Sequence, residues 1–318
     1  MSFNLFIPHN EICYGDLPHK NKMYNRFNKK DLNLLKLFLD YRIVSVPQIS
    51  MLSFPSRQMA RRKIRDLVKA GLVQISARGY GITAGRPENL ISLTDKGIKL
   101  LEDHEISMPG SLEDRKITIE PSQVEHQLLL NWVRINIRKV GERIPQINIR
   151  FLSPVFDHQD YVFKKEDTDF ENGFIPDGIF SISHNQQNKT LLFFLEIDMG
   201  TETLSSKNPI ATDISKKVIG YQSIFSNQSY NQLNGPLNSK FHGFRVLFIS
   251  NTETRLRQLC KLVKSMKSTG FIWLTDKNSV FENGISDKIW IKGGDIDKEC
   301  YSILGPSLAT KTPIDIAN

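Results

Sequence analysis

The run Thr190-Leu-Leu-Phe-Phe-Leu-Glu-Ile-Asp198 limits the fold more than any other stretch of the chain. Successive residues of a strand face opposite sides of a sheet, so an unbroken apolar run needs cover on both faces. That predicts a central strand with helices packed above and below it. The surrounding sequence agrees. Gly178-Ile-Phe-Ser-Ile-Ser183 reads as a second strand joined to the first through Asn- and Gln-rich turn residues, and Gln146-Ile-Asn-Ile-Arg-Phe-Leu152 alternates. Phe244-Arg-Val-Leu-Phe-Ile-Ser250 and Phe271-Ile-Trp-Leu274 supply two more strands. Helices are expected at 121–138, 214–225 and 252–267, the first amphipathic with Val124, Leu128, Trp132 and Ile135 on one side. The order αβββαβαβ predicts an α/β sandwich with a mixed sheet over residues 121–318, with Trp132, Trp273 and Trp290 in its core.

Residues 28–105 follow another pattern. Asp31 is placed to cap a helix whose apolar positions Leu34, Leu35, Phe38 and Leu39 recur at helical spacing, and Pro47 opens a short second helix that Phe54-Pro55 ends. Ser56 caps a third. Its inward stripe is Ala60, Ile64, Leu67 and Val68, Gly71 stops it, and Arg57, Gln58, Arg61, Arg62, Arg65 and Lys69 take the remaining surface. Residues 72–76 and 90–93 then read as two strands with a Gly- and Arg-containing tip between them, and 94–101 as a helix.

The net positive charge sits in this segment. Between residues 20 and 105, 17 Lys and Arg stand against 8 Asp and Glu, whereas the rest of the chain holds 25 against 26, so the segment carries the whole formal excess of +8. Localised basicity points to a polyanion, because each Lys or Arg that neutralises a phosphate releases condensed counterions. Residues 106–120, with Pro109-Gly110 and mixed charge, read as a linker between two domains, a division that 318 residues accommodate. At 40% hydrophobic and 24% charged, the composition excludes disorder, collagen and coiled coil as the main architecture. No run approaches the roughly 18 apolar residues of a membrane span, and residues 1–8 lack a basic region ahead of an apolar one, so a cytoplasmic location without membrane contact is expected. Cys13, Cys260 and Cys300 have no metal-ligand spacing and are expected to be reduced thiols.

Acidic residues interrupt the apolar background at one place. Pro176-Asp177 opens one strand and Glu196-Ile-Asp198 ends the next, so all three carboxylates can share a sheet edge, with Glu196 and Asp198 on one face about 6 to 7 Å apart. Such a cluster repels itself unless it is protonated or bridged by a divalent cation, and oxygen ligands of this kind suit Mg²⁺ or Mn²⁺. Lys217 and Tyr221, four apart on a helix, share a face; Lys216 is an equal candidate by sequence. His126 reads as a packing or helix-orienting residue, and the basic positions between 255 and 267 as a solvated helix face that could extend a DNA footprint.

Three resemblances build on these residues. Over about 75 residues, and most closely in Arg62-Lys-Ile-Arg-Asp-Leu-Val-Lys-Ala-Gly-Leu-Val73 and Leu93-Thr-Asp-Lys-Gly97, the N-terminal part resembles a winged helix-turn-helix. The resemblance implies double-stranded DNA as partner, with Arg57, Gln58, Arg61, Arg62, Arg65 and Lys69 on the recognition helix and Arg78, Tyr80 and Arg86 on the wing. The hairpin resembles that of the PD-(D/E)XK nucleases: Pro176-Asp177, then about twenty residues later Glu196-Ile-Asp198. This implies Asp177 and Glu196 as metal ligands, Glu125 as an additional acidic residue, and Lys217 as a migrated substitute for the lysine whose usual place is taken by Asp198. Across roughly residues 30–250 the chain resembles the replication-relaxation family of plasmid and mobile-element proteins, most specifically in Phe193-Phe-Leu-Glu-Ile-Asp-Met-Gly-Thr-Glu202 and His126-Gln-Leu-Leu-Leu-Asn131, with Met199 where arginine is more usual. In that family Asp at the position of Asp198 is part of the pattern.

Three functions stay open at this point. The first is a DNA-binding protein of a plasmid or mobile element, acting in replication, mobilisation or regulation, whose nuclease-like domain assembles or regulates. The second is a Mg²⁺- or Mn²⁺-dependent DNA endonuclease using Asp177, Glu196, Asp198 and Lys217; without catalysis no cofactor is expected. The third is a protein-interaction adaptor. Other mobile-element proteins and a second copy of the chain are compatible partners, and no sequence feature fixes the symmetry.

Overall fold

The computed structural model describes residues 27–79, 88–104, 119–153, 163, 175–186, 189–206 and 213–314. The fold is α/β overall, with a three-stranded and a six-stranded sheet. The first part runs α1 (Lys29–Tyr41), β1 (Ile43–Ser45), α2 (Val46–Ser53), α3 (Arg57–Lys69), β2 (Val73–Gly79), β3 (Glu88–Leu93) and α4 (Asp95–Asp103). Its antiparallel sheet has the order β1-β3-β2. Asn28, rather than Asp31, caps α1; Asp31 occupies the third helical position, returns a carboxylate to the Asn28 N–H, and is buried in an ion pair with Lys63. Ser45 with Gln48 makes a second capping box, and Ser56 caps α3. The exit of α3 is a Schellman turn: Gly71 lies at φ +70°, its N–H reaches Val68 O at 2.9 Å, and Leu72 N–H reaches Leu67 O at 3.0 Å. Strand β1 was not expected. The tip 80–87, with Tyr80 and Arg86, most of the linker and the loop 157–172 apart from Phe163 lie outside the described residues, as does Cys13.

The second part runs α5 (Val124–Arg143), β4 (Ile147–Phe151), β5 (Gly178–His184), β6 (Lys189–Asp198), α6 (Ile214–Ser226), β7 (Phe244–Ser250), α7 (Glu253–Ser265), β8 (Ile272–Asp276), α8 (Lys277–Asn283) and β9 (Ile291–Lys292). The mixed sheet keeps the order β4-β5-β6-β7-β8-β9, antiparallel through β6, parallel across β6, β7 and β8, and antiparallel again at β9. Strand β6 is covered on both faces, as its composition requires. Phe193, Leu195 and Ile197 join the cluster that includes α5, while Leu192 and Phe194 pack with Val218 and Tyr221 of α6 and Leu256, Leu259 and Val263 of α7. Trp132, Trp273 and Trp290 are buried. Cys260 and Cys300 are free thiols, and burial pushes Cys260 up to about 11.

Helix α5 corrects the sequence expectation. It is not amphipathic but buried nearly all round: Leu129, Leu130, Val133, Ile137 and Val140 are inaccessible along with Trp132 and Ile135, while Leu128 is only half-buried. The reason is that both sheets pack on it. Asn131 Nδ2 donates to Tyr41 O at 3.1 Å and Ile43 O at 2.6 Å, and Gln48 Nε2 donates to Leu128 O at 2.9 Å. Arg134 donates to Asp40 O at 3.0 Å and Asp40 Oδ2 at 2.6 Å, with its guanidinium 4.2 Å above Tyr41 and 4.9 Å from the Phe151 ring centre. One hydrophobic cluster therefore runs from Leu34 to Ile314 through both parts. No helix of the described residues is long and apolar enough to cross a membrane.

Candidate functional site

The register of β5 against β6 builds the acidic centre. Gly178 pairs with Leu195, which sets Asp177 opposite Glu196 at the end of the hairpin. Asp177 Oδ2 accepts the Ile197 N–H at 2.7 Å and lies 3.0 Å from His126 Nε2, so the histidine at the start of α5 orients a carboxylate. Glu196 is 2% exposed. Tyr221 Oη donates to its Oε1 at 2.6 Å, and Lys217 Nζ stands 3.3 Å from its Oε2. The shared helical face of Lys217 and Tyr221 thus points at one carboxyl group. Lys216 instead lies toward Asp213, 4.0 Å away. Lys217 Nζ also bonds Glu202 Oε1 at 2.8 Å, and the other oxygen of Glu202 is buried with no hydrogen-bond partner among the described residues.

These contacts drive the protonation states apart. Burial, with Asp177 adding repulsion and Lys217 and Tyr221 opposing, raises Glu196 to about 7. Burial also disfavours charge on Asp177, but the hydrogen bond and charge of His126, followed by Lys217, outweigh it and hold Asp177 below its ordinary value. His126 is raised, because Asp177 outweighs the burial that would lower it. Lys217 is desolvated as well, yet Glu196, Asp177 and Glu202 hold it firmly protonated.

Asp198 sits apart from this set. Arg255 of α7 grips both its oxygens, Nε to Oδ2 at 2.6 Å and Nη2 to Oδ1 at 3.3 Å, and also donates to Glu202 O at 2.6 Å. Arg255 therefore does not belong to a solvated helix face. Glu202 and Arg255 were missed by sequence reasoning. A signal was present: β6 and β7 run parallel, with Asp198 beside Ser250, so the first turn after β7 must lie over the end of β6.

Glu125 is exposed in the first turn of α5, and among the described residues no group of three or more His, Cys, Asp or Glu could hold a metal ion. Asp177 and Glu196 are two carboxylates set opposite each other at the hairpin end. Mg²⁺ keeps most of its waters and is commonly held by one or two carboxylates plus substrate phosphate.

The second surface is α3. Ala60, Ile64 and Leu67 face inward, while Gln58, Arg61, Arg62, Arg65 and Lys69 are exposed and Arg57 is half-buried. Arg61, Arg62, Arg65 and Lys69 form no ion pair among the described residues, in contrast to Lys63. Arg78 stands in β2 opposite Asn89, just past a register shift.

A family model for replication-relaxation matches residues 35–237. The chain belongs to the replication-relaxation family. Membership ties it to replication or mobile-element processes, and the matched span runs from α1 past α6, so it includes the α3 surface together with Asp177, Glu196, Glu202, Lys217 and Tyr221. Arg255 lies beyond the span that defines the replication-relaxation match. No curated protein and no solved structure matches the chain.

Proposed function

We propose that this replication-relaxation protein binds double-stranded DNA of a plasmid or other mobile element, with α3 as the reading helix. The observation that carries this is the exposed basic surface of α3, formed by Arg61, Arg62, Arg65 and Lys69. A capped helix with an apolar inward stripe presents four cations that no carboxylate of the described residues neutralises. The helix-helix-helix-hairpin order supports a winged-helix reading of residues 28–105, and the α/β part serves assembly or regulation, with other mobile-element proteins as partners. The cytoplasm is the compartment where such DNA resides. The test is fluorescence anisotropy with labelled duplex across a salt series. Affinity should fall steeply as salt rises, and the paired substitution of Arg61 and Arg65 by Ala should flatten that dependence. Salt-insensitive binding, or none, removes the proposal and leaves the adaptor reading.

The acidic centre favours a second reading, a metal-dependent DNA endonuclease. Its supporting observation is Lys217, held between Glu196 and Glu202 beside Asp177. In this reading Asp177 and Glu196 would hold Mg²⁺ or Mn²⁺, which supplies Lewis-acid polarisation of a phosphate oxygen. Lys217 then neutralises charge developing on the phosphate, Tyr221 orients Glu196, and His126 orients Asp177. Supercoiled plasmid incubated with metal or EDTA decides it. Nicking that needs metal and vanishes in Glu196→Ala supports the endonuclease; shifted but intact DNA in every lane leaves a binding protein.

A further inference from the structure

The string Glu196-x-Asp198-x-Gly200-Thr-Glu202 closes on itself through one arginine. Two residues apart on a strand, Glu196 and Asp198 face the same way, yet they meet different cations: Lys217 reaches Glu196, and Arg255 takes both oxygens of Asp198. Asp198 Oδ1 accepts the Gly200 N–H as well, at 2.9 Å. A carboxylate so engaged by a planar guanidinium and a backbone amide has its charge and most of its lone pairs committed.

The remaining bonds turn the chain. Gly200 lies at φ +79°, a conformation that residues with a Cβ rarely adopt, and reverses the strand end. Asn251 Nδ2 holds Met199 O at 2.7 Å, and its own N–H holds Asp198 O at 2.9 Å. The guanidinium that grips Asp198 also donates to the backbone oxygen of Glu202. Glu202 is thereby brought back over the sheet end, its carboxylate 2.8 Å from Lys217 Nζ. A lysine has a flexible four-carbon stem and a compact charge, so a single carboxylate leaves it free to swing and a second one restrains it.

We propose that Asp198 and Arg255 form a clasp that returns Glu202 to Lys217, making Glu202 and Arg255 positioning residues of the acidic centre and Asp198 a structural member of it. The importance of Lys217 rests on the endonuclease reading; the clasp itself does not. Lysine acylation at fixed pH in metal-free, full-length protein, read by mass spectrometry, tests it. Lys217 should label slowly in wild type and several-fold faster in Glu202→Gln, with Glu202→Asp restoring part of the protection and Lys216 serving as internal control. Arg255→Met should raise Lys217 labelling to the Glu202→Gln level, and the double variant should go no further, because both act through one contact. Should Arg255→Met fail to give a native melting transition, Arg255→Lys, which keeps the charge but loses the fork, takes its place with the same expectation. Unchanged Lys217 labelling in Glu202→Gln, or in the Arg255 variant, overturns the proposal. Plasmid nicking by the same proteins is read separately. Where wild type nicks, Glu202→Gln should lower kcat more than it raises KM; absence of nicking in wild type removes the endonuclease reading and leaves the labelling result to decide the clasp.

Discussion

Glu196 carries a proton in the folded, metal-free protein at pH values where an unfolded glutamate has lost it. Between about 4.5 and about 7 the native state binds more protons than the unfolded chain, so stability falls as pH rises through that window. Full titration corresponds to a loss of about 3 kcal/mol. His126 acts in the same direction: a raised histidine stabilises below its unfolded pKa, and that contribution is lost as pH passes its folded value. Thermal melts in EDTA should therefore give a lower Tm at pH 7.5 than at pH 5, and Glu196→Gln, which mimics the protonated acid, should remove most of the difference; equal wild-type melting at both values contradicts it. At this scale the sequence exposes what spacing controls. Asp177, Glu196 and the pair Lys217 and Tyr221 follow from strand and helix periods. Glu202 and Arg255 do not, because their contact joins residues 53 positions apart through a turn that only the folded sheet end defines.

Helix α4 packs through Gly97, where a Cβ would come within 2.2 Å of Leu72 O. Alanine is the better helix former by about 1 kcal/mol, but backbone cannot yield as a side chain can. Gly97→Ala should accordingly destabilise by roughly 1–3 kcal/mol in urea unfolding, against the sign that helix propensity alone gives. On α3 the expectation reverses. Arg61→Ala and Arg62→Ala touch no packed surface, so each should leave stability within about 0.5 kcal/mol while lowering the salt slope of duplex binding by about 1. Elements were legible where punctuation and period agree, as in α3 between Ser56 and Gly71. Helix α5 was misread because Leu129, Leu130 and Ile137 fall outside any single stripe, and they do so because two sheets cover them. Strand β1 is three residues long, too short to show alternation.

In the whole molecule, Arg134 is one of the ties between the parts. It is 5% exposed, paired with Asp40, and stacked on Tyr41 and beside Phe151, while Ser153 holds the other oxygen of Asp40. Removing one partner of a buried ion pair costs about 3–5 kcal/mol. Calorimetry should show one cooperative transition for the wild type, shifted down as a unit in Arg134→Ala; two separate wild-type transitions contradict the shared core. The partition of charge between the two parts was readable in composition. Their packing was not, since Asn131 and Arg134 look like the wet side of an amphipathic helix until the N-terminal strands are seen to accept their hydrogen bonds. That shared helix also sets an order of events during synthesis. The side of α5 facing the N-terminal sheet can dock as soon as it leaves the ribosome. Asn136, on the same helix, accepts from Ile285 N–H and donates to Thr312 O, a partner 176 residues further on. At 5–20 residues per second the ribosome takes on the order of ten to thirty seconds to deliver it. Until then the buried amide of Asn136 lacks its partners, so the last hydrogen bonds of the shared helix close only when the chain is almost finished.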